Sequence, residues 1–341
     1  MRDRDVSSAI DELVALAASK PGASADDADL VSEIITTALR LLRDGTGRGD
    51  LKMMNTALKE LRYSSLVFRD YKDYPKVAVY GSARTEPDDP NYALAEEFGR
   101  RMADLGWMVI TGAGPGIMEA ANKGAGSDAS FGVNIRLPFE SGANEYLSPG
   151  KVINFKYFFT RKVQFVKEGD AFVLMPGGWG TMDEGFELLT LIQTGKSDIH
   201  PIVLLEAEGS GYWDPWLQQC DMLLRQGMIS EPDLNLFTVT HSVDEAIAEV
   251  TGFFSVYHSQ RFVGDLLVLR MLSDVPDSLV ASINDEFSDI VVSGSITKMS
   301  ATDAEIETDD NVDLPRLGFH FNRRSFGRLR LLIDRLNGVV R

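Results

Sequence analysis

From Lys76 to about Phe254 the chain alternates short apolar runs with amphipathic stretches, and several runs end in glycine. That alternation narrows the fold more than any other feature. The runs KVAVYGS (76–82), WMVITGAG (107–114), FGVNIRL (131–137), KVINF (151–155), DAFVLMP (170–176) and PIVLLE (201–206) read as strands. Helical patterns fill about 91–105, 115–125, 157–168 and 180–194 between them. Short strands alternating with helices make βαβ units and a parallel sheet. The runs are continuously apolar, as strands are when helices cover both faces. The expected fold class is therefore α/β, a doubly wound parallel sheet of Rossmann-like type. Asp214-Pro215 reads as an N-cap before a helix-starting proline. Ser242-x-x-Glu245 reads as a capping box for a helix to about Phe254.

The flanks read differently. Residues 1–75 form an expected helical arm. Ile10, Leu13, Leu16 and Ala17 recur at helical spacing, as do Leu30, Ile34, Ile35, Ala38, Leu41 and Leu42. A third helix is expected from about Leu51 to Phe68. Residues 76–255 are expected to form the Rossmann-like core, and 256–341 a small αβ appendage. In the appendage FVGDLLVLRM reads as one strand and PDSLVASINDEF as a helix. SGSITKMS and RLGFHFN are strands, and RRSFGRLRLLIDRLN is a closing helix. Asp303, Glu305, Glu307, Asp309, Asp310 and Asp313, with no base among them, suggest a solvated loop. Arg316, Arg323, Arg324, Arg328, Arg330, Arg335 and Arg341 then read as surface or interface residues, with a regulatory anion site as the alternative.

Charge and residue counts exclude several classes. With 34 basic and 51 acidic residues the net charge is -17. That opposes binding to nucleic acid or to an anionic membrane. No run of roughly 18 apolar residues is present, so no membrane span is expected. Asp3, Asp5, Asp11 and Glu12 break the first stretch, which lacks the apolar region of a signal peptide. A cytoplasmic protein is the expectation. The single cysteine, Cys220, excludes an internal disulfide and a cysteine-rich metal site. It lies away from the glycine loops and reads as a packing residue. His200, His241, His258 and His320 are too scattered for a ligand motif, so no metal is expected.

In open α/β sheets ligands bind where strands end and helices begin. Three glycine loops fall on such edges. They are Gly81-Ser82, Gly112-Ala113-Gly114-Pro115-Gly116, and Pro176-Gly177-Gly178-Trp179-Gly180-Thr181. Glycine lets backbone approach a phosphate, and a following helix aims free N–H groups at it. A single such loop is an ordinary tight turn; three on one edge point to a phosphate-bearing ligand. NAD does not fit. Ile117 stands where the dinucleotide fingerprint needs its third glycine, and the next strand ends near Asn134 and Arg136 instead of an acid. There is no Gly-x-x-x-x-Gly-Lys-Ser/Thr loop either. A mononucleotide fits better, and no cofactor is expected.

Two further features lie near the third loop. Glu184 ends a Thr181-x-x-Glu184 spacing that also reads as a capping box. Arg161-Lys162 lies on the helix leading into the strand that feeds the same loop. Alone, Arg161 would be a solvent-facing helix residue.

The segment Pro176-Gly177-Gly178-Trp179-Gly180-Thr181-Met182-Asp183-Glu184 resembles the PGGxGTxxE motif of the LOG ("Lonely Guy") family. Those are cytokinin-activating phosphoribohydrolases, long mislabelled as lysine decarboxylases. Arg161-Lys162 matches the family's Arg-Lys step, and Gly114-Pro115-Gly116-Ile117-Met118-Glu119-Ala120-Ala121 resembles its second signature in the longer-chain form. The resemblance covers roughly residues 76–255. The extra length at both ends is similar to longer LOG-like proteins and, more loosely, to nucleotide 5′-monophosphate nucleosidases.

The resemblance implies that Arg161 and Glu184 are the catalytic pair. It implies phosphate or ribose contacts from Gly177, Gly178, Gly180 and Thr181. Glu187 falls where the family has a second acid; a plain surface glutamate is the alternative. Lys162, Met118 and the residues of the first two loops complete the expected substrate site. A homo-oligomer, dimer or larger, is implied too. The expected reaction is hydrolysis of the N-glycosidic bond of a nucleoside 5′-monophosphate, AMP or an N6-modified AMP, to free base and ribose 5-phosphate. The alternatives are a broad purine and pyrimidine nucleosidase under effector control, and a nucleotide or cofactor carrier without catalysis. The residues suit hydrolysis: the sugar passes through an oxocarbenium-like state that a carboxylate stabilises. No feature marks a pyridoxal-phosphate lysine, so decarboxylation is not expected.

Overall fold

The computed structural model describes residues 4–20, 27–136 and 142–339. The chain divides into two compact units, residues 1–62 and 63–341. The first unit holds helices α1 (Arg4–Ala18) and α2 (Ala28–Arg43) and most of α3 (Arg48–Phe68). The three expected helices are present, but their apolar faces are largely uncovered. Ile10 and Val14 are buried, whereas Leu13, Leu16, Leu30, Ile34 and Leu42 are exposed. A pair of short helices has too little surface to bury two apolar stripes.

In the second unit the chain runs β1 (Lys76–Tyr80), α4 (Pro90–Asp104), β2 (Met108–Thr111), α5 (Ile117–Ala125), β3 (Ser130–Ile135) and β4 (Val152–Phe155). Then come α6 (Phe158–Glu168), β5 (Ala171–Leu174), α7 (Trp179–Gln193), β6 (Ile202–Leu205), α8 (Asp214–Arg225), β7 (Thr238–Thr240) and α9 (Val243–Phe253). The seven strands form one sheet in the order β4-β3-β2-β1-β5-β6-β7. Every pairing is parallel. The expected doubly wound sheet is therefore present. Leu137, the expected end of β3, lies outside the described residues.

The two-residue period of the strands explains both layers. Val77 and Val79 of β1 and Val173 of β5 belong to one buried cluster with Tyr92, Phe98, Ala120 and Val250. Ala78, Tyr80, Phe172 and Leu174 belong to the other, with Phe165, Leu188 and Trp213. On the first face α4 and α5 approach to backbone contact. A Cβ on Gly99 would lie 2.2 Å from the Ala121 carbonyl oxygen, and one on Gly124 1.9 Å from that of Glu96.

A second sheet holds β8 (Tyr257–Val263), β9 (Leu266–Met271), β10 (Thr297–Met299) and β11 (Arg316–Phe319), with α10 (Asp277–Glu286), α11 (Asp303–Glu307) and α12 (Phe326–Leu336). Its order is β10-β11-β9-β8, all antiparallel. The expected single strand FVGDLLVLRM is a hairpin instead. Val263 pairs with Leu266, and Gly264 turns the chain at φ +59°.

The expected solvated acidic loop is also corrected. Glu305 is fully buried and pairs with Arg270 (2.8 Å) and Arg316 (3.3 Å), which are buried too. Asp310 pairs with Arg261 (2.7 Å) and Arg270 (2.6 Å). Arg330, expected at the surface, is buried between Glu249 and Asp334. Arg323, Arg328 and Arg335 pair with Asp265, Asp289 and Glu286. Carboxylates of the same chain thus occupy five of the arginines that suggested an anion site, Arg316, Arg323, Arg328, Arg330 and Arg335. Arg341 lies outside the described residues.

The caps differ in detail. Asp214 is the first residue of α8 and Trp213 its N-cap. Ser242 does cap α9, accepting from the Glu245 N–H. The Glu245 carboxylate, however, accepts from the Thr240 hydroxyl and not from the N-cap N–H. Among the described residues no helix is long and apolar enough to cross a membrane. None of them forms a group of three or more His, Cys, Asp or Glu placed to hold a metal ion.

Candidate active site

The strand order reverses between β1 and β5. A sheet of this type opens a crevice at the carboxyl ends beside its reversal. The three glycine loops leave β1, β2 and β5 at that place and line one cavity of about 820 Å³. Gly81 and Ser82 contribute from the first loop, Gly112 and Gly114 from the second, and Gly177, Gly178, Gly180 and Thr181 from the third. Met118, Arg161 and Glu184 complete the expected wall.

The loops interlock at positions that have no side chain. A Cβ on Gly81 would lie 2.4 Å from Ile117 Cγ2. One on Gly116, whose φ is +67°, would lie 2.3 Å from the Ser82 carbonyl oxygen. Gly116 is therefore a joint between loops and does not line the cavity. The Ile117 N–H donates to that same Ser82 carbonyl (3.0 Å), and the Ser82 N–H donates to the Pro176 carbonyl (3.0 Å). All three loops are tied through Ser82. The Tyr212 hydroxyl donates to the Gly177 carbonyl at 2.5 Å, and the Tyr212 N–H donates to buried Glu206 at 2.6 Å.

The capping-box reading of Thr181 and Glu184 is overturned. Gly178 is the N-cap of α7, with no side-chain cap bond, so Thr181 lies at the third helical position. Glu184 falls in the second turn and faces cations. Its Oε1 accepts from Arg161 Nη2 and its Oε2 from Lys162 Nζ, both at 3.3 Å. The Arg161 guanidinium stands 5.0 Å from the ring centroid of Phe158 and 5.6 Å from that of Phe165, which fixes its plane.

Burial pushes the Glu184 carboxyl above the usual range, against the lowering charges of Lys162 and Arg161. A carboxyl raised by folding contributes its stability at acid pH and loses it as pH rises through the folded value. Folding thus makes ionisation of this carboxyl more costly, a pattern that concentrates at functional sites. Lys162 stands behind the pair, off the cavity wall. It holds Glu187 at 2.6 Å and Asp183 at 3.0 Å. Burial draws the Lys162 ammonium down, but those carboxylates and Glu184 leave it above its ordinary value. Glu187 is likewise engaged with Lys162 instead of lining the cavity.

Sequence reasoning missed several wall residues. Tyr80 closes β1, Phe158 opens α6, and Trp179 stands at the lip with 93% of its surface exposed. Trp179 lay in plain view at the variable position of the third loop. Tyr80 carried no signal beyond its place at a strand's carboxyl end.

Fold and cavity together define a doubly wound α/β protein with a glycine-lined cleft at the reversal of its sheet. Residues 117–250 match the protein family described as "Possible lysine decarboxylase". The cytokinin riboside 5′-monophosphate phosphoribohydrolase LOG of Oryza sativa subsp. japonica is 26% identical over 190 residues, 54% of this chain and 76% of that protein. A probable enzyme of the same kind from the same plant is 29% identical over 166 residues, 47% of this chain and 69% of its own. An Arabidopsis thaliana phosphoribohydrolase is 32% identical over 93 residues, 27% of this chain and 42% of its own. Among solved structures, a molybdenum cofactor binding protein from Rippkaea orientalis is 21% identical with a TM-score of 0.36, covering 51% of this chain and 93% of its own. The Moco carrier protein of Chlamydomonas reinhardtii is 23% identical with a TM-score of 0.36, covering 51% and 94%. The match over residues 117–250 and the similarity to these plant proteins bear out the resemblance of the motifs to the LOG family.

Proposed function

We propose that this chain hydrolyses the N-glycosidic bond of a nucleoside 5′-monophosphate, AMP or an N6-modified AMP, to free base and ribose 5-phosphate. One observation carries the reading: a largely buried Arg161–Glu184 pair stands on the wall of a cavity that three glycine loops also line. The loop amides and the start of α7 receive the phosphate, which only accepts hydrogen bonds. Glu184, ionised, faces the sugar as positive charge develops on it, or orients the attacking water. Arg161 keeps the carboxylate charged and in place. The net charge of -17 is no obstacle, because the site supplies its own donors. The names of the plant relatives agree with this reaction class.

The test is a substrate panel: AMP, N6-isopentenyl-AMP, GMP, CMP and UMP, with the released base separated by chromatography. Release from the adenine nucleotides is the expected result, and release from none sinks the proposal. Release from all five would replace it with a broad nucleosidase.

The raised Glu184 carboxyl sets a pH dependence. The account uses the ionised form, so kcat/KM should fall as pH drops through that raised value. The acid limb should therefore lie above the range of an ordinary glutamate. An acid limb within the ordinary range, or a rate that rises on acidification, contradicts this role. We also propose a homo-oligomer, supported by the exposed Leu13, Leu16, Leu30, Ile34 and Leu42 of the first two helices. Light scattering should give at least twice the 37.6 kDa of one chain; a monomer at micromolar concentration contradicts it.

A further inference from the structure

Among the described residues, two that line the cavity carry a buried donor without a hydrogen-bond partner: Tyr80 at its hydroxyl and Arg161 at Nε–H. Tyr80 is 6% exposed, and its ring packs on Phe165 with centroids 4.9 Å apart. The Arg161 guanidinium lies against the same phenylalanine. The charged groups that act on the Tyr80 hydroxyl are Glu184, Arg161 and Glu187. Burial, followed by the charge of Glu184, holds the phenol well above its ordinary value. Tyr80 therefore stays a neutral donor at neutral pH. A buried hydroxyl without a partner costs a fold stability that phenylalanine would not. Its presence on the cavity wall calls for a ligand.

Hydrogen-bond chemistry narrows what that ligand group is. The phenol offers a proton, and the Glu184 carboxylate only accepts one. A group that bridges them must accept from Tyr80 and donate to Glu184. A phosphate oxygen only accepts, and it would face the carboxylate of Glu184. An adenine nitrogen likewise cannot both accept and donate at one atom. A sugar hydroxyl does both.

We propose that Tyr80 reads the sugar: its hydroxyl donates to a ribose hydroxyl that in turn donates to Glu184, so the site selects ribonucleotides over deoxyribonucleotides. This rests on the nucleotide reading above and adds to it a specificity residue outside the glycine loops and the Arg161–Glu184 pair.

The test compares the full-length parent and Tyr80→Phe on AMP, 2′-deoxy-AMP and 3′-deoxy-AMP. Deoxynucleotides have a weaker glycosidic bond, so the informative quantity is the ratio of the variant's loss on AMP to its loss on each analogue. The variant should lose about tenfold in kcat/KM on AMP and close to nothing on the analogue lacking the contacted hydroxyl. Its melting temperature should equal or exceed the parent's, because the removed oxygen has no partner in the fold. Equal losses on all three substrates would mean the hydroxyl holds a water and would overturn the proposal. So would no loss at all, or a lowered melting temperature with a uniform loss. Calorimetric binding of the same three nucleotides separates this proposal from the hydrolase reading. Discrimination by the parent that Tyr80→Phe abolishes, without base release, would keep the sugar contact and sink the hydrolase. Base release without discrimination would do the reverse, and a protein that binds none of the three would end both.

Discussion

Glu184→Gln is expected to slow base release by about 10²–10⁴-fold while changing the affinity for the nucleotide far less. Glutamine keeps the size of the side chain and one acceptor oxygen but removes the charge. The loss should therefore fall on the step in which the sugar becomes cationic, and so on kcat more than on KM. Arg161→Ala should fall in a similar range, because the carboxylate then loses its nearest guanidinium, now 3.3 Å away. The two act as one unit, so the double variant should be little worse than the worse single one. Steady-state rates on AMP for the four proteins check this. A Glu184→Gln rate within about threefold of the parent would remove the residue from the chemistry.

Glu305→Ala should cost about 3–5 kcal/mol of stability, the largest expected effect away from the cavity. Glu305 is the shared counter-ion of Arg270 and Arg316, and all three are almost wholly buried. Removing it leaves the buried Arg316 guanidinium without a carboxylate and Arg270 with Asp310 alone. For a unit of this size that corresponds to a fall in melting temperature of roughly 5–10 °C. Removing all three charges together, as Arg270→Met, Glu305→Leu and Arg316→Met, should recover most of the loss, since a matched apolar set avoids desolvation altogether. The Glu305 carboxyl sits below its ordinary value: burial raises it, but the Thr302 N–H and the arginines outweigh that. Its contribution is therefore present at neutral pH and fades as pH falls through the lowered value. A calorimetric loss under about 1 kcal/mol for Glu305→Ala would show that these charges are solvated after all.

The parallel sheet was legible because its local signals agree. Apolar runs of strand length, glycine at their ends and helical periodicity between them admit one reading, and β1 to β6 fall where expected. β7 has three residues, too few to show a period. The β8–β9 hairpin was missed although Gly264-Asp265 is a turn pair, because apolar residues flank it on both sides. The acidic stretch failed for a deeper reason. Charge density along a chain says nothing of what a β-strand brings opposite, and here β9 and β11 bring Arg270 and Arg316. At the candidate site the glycine loops converge as read. Thr181-x-x-Glu184 was ambiguous by spacing alone, and the start of α7 at Trp179 decides it. The pairing of Arg161 with Glu184 spans 23 positions and was visible only through the family motif. Tyr80 needed the cavity itself.

The most direct measurement of the central claim is mass balance on AMP: adenine and ribose 5-phosphate quantified together over time, with parent and Glu184→Gln, at several phosphate concentrations. The account predicts one adenine per ribose 5-phosphate from the parent, independent of added phosphate, and close to none from the variant. AMP recovered intact from a protein that binds it would contradict the account and leave a carrier.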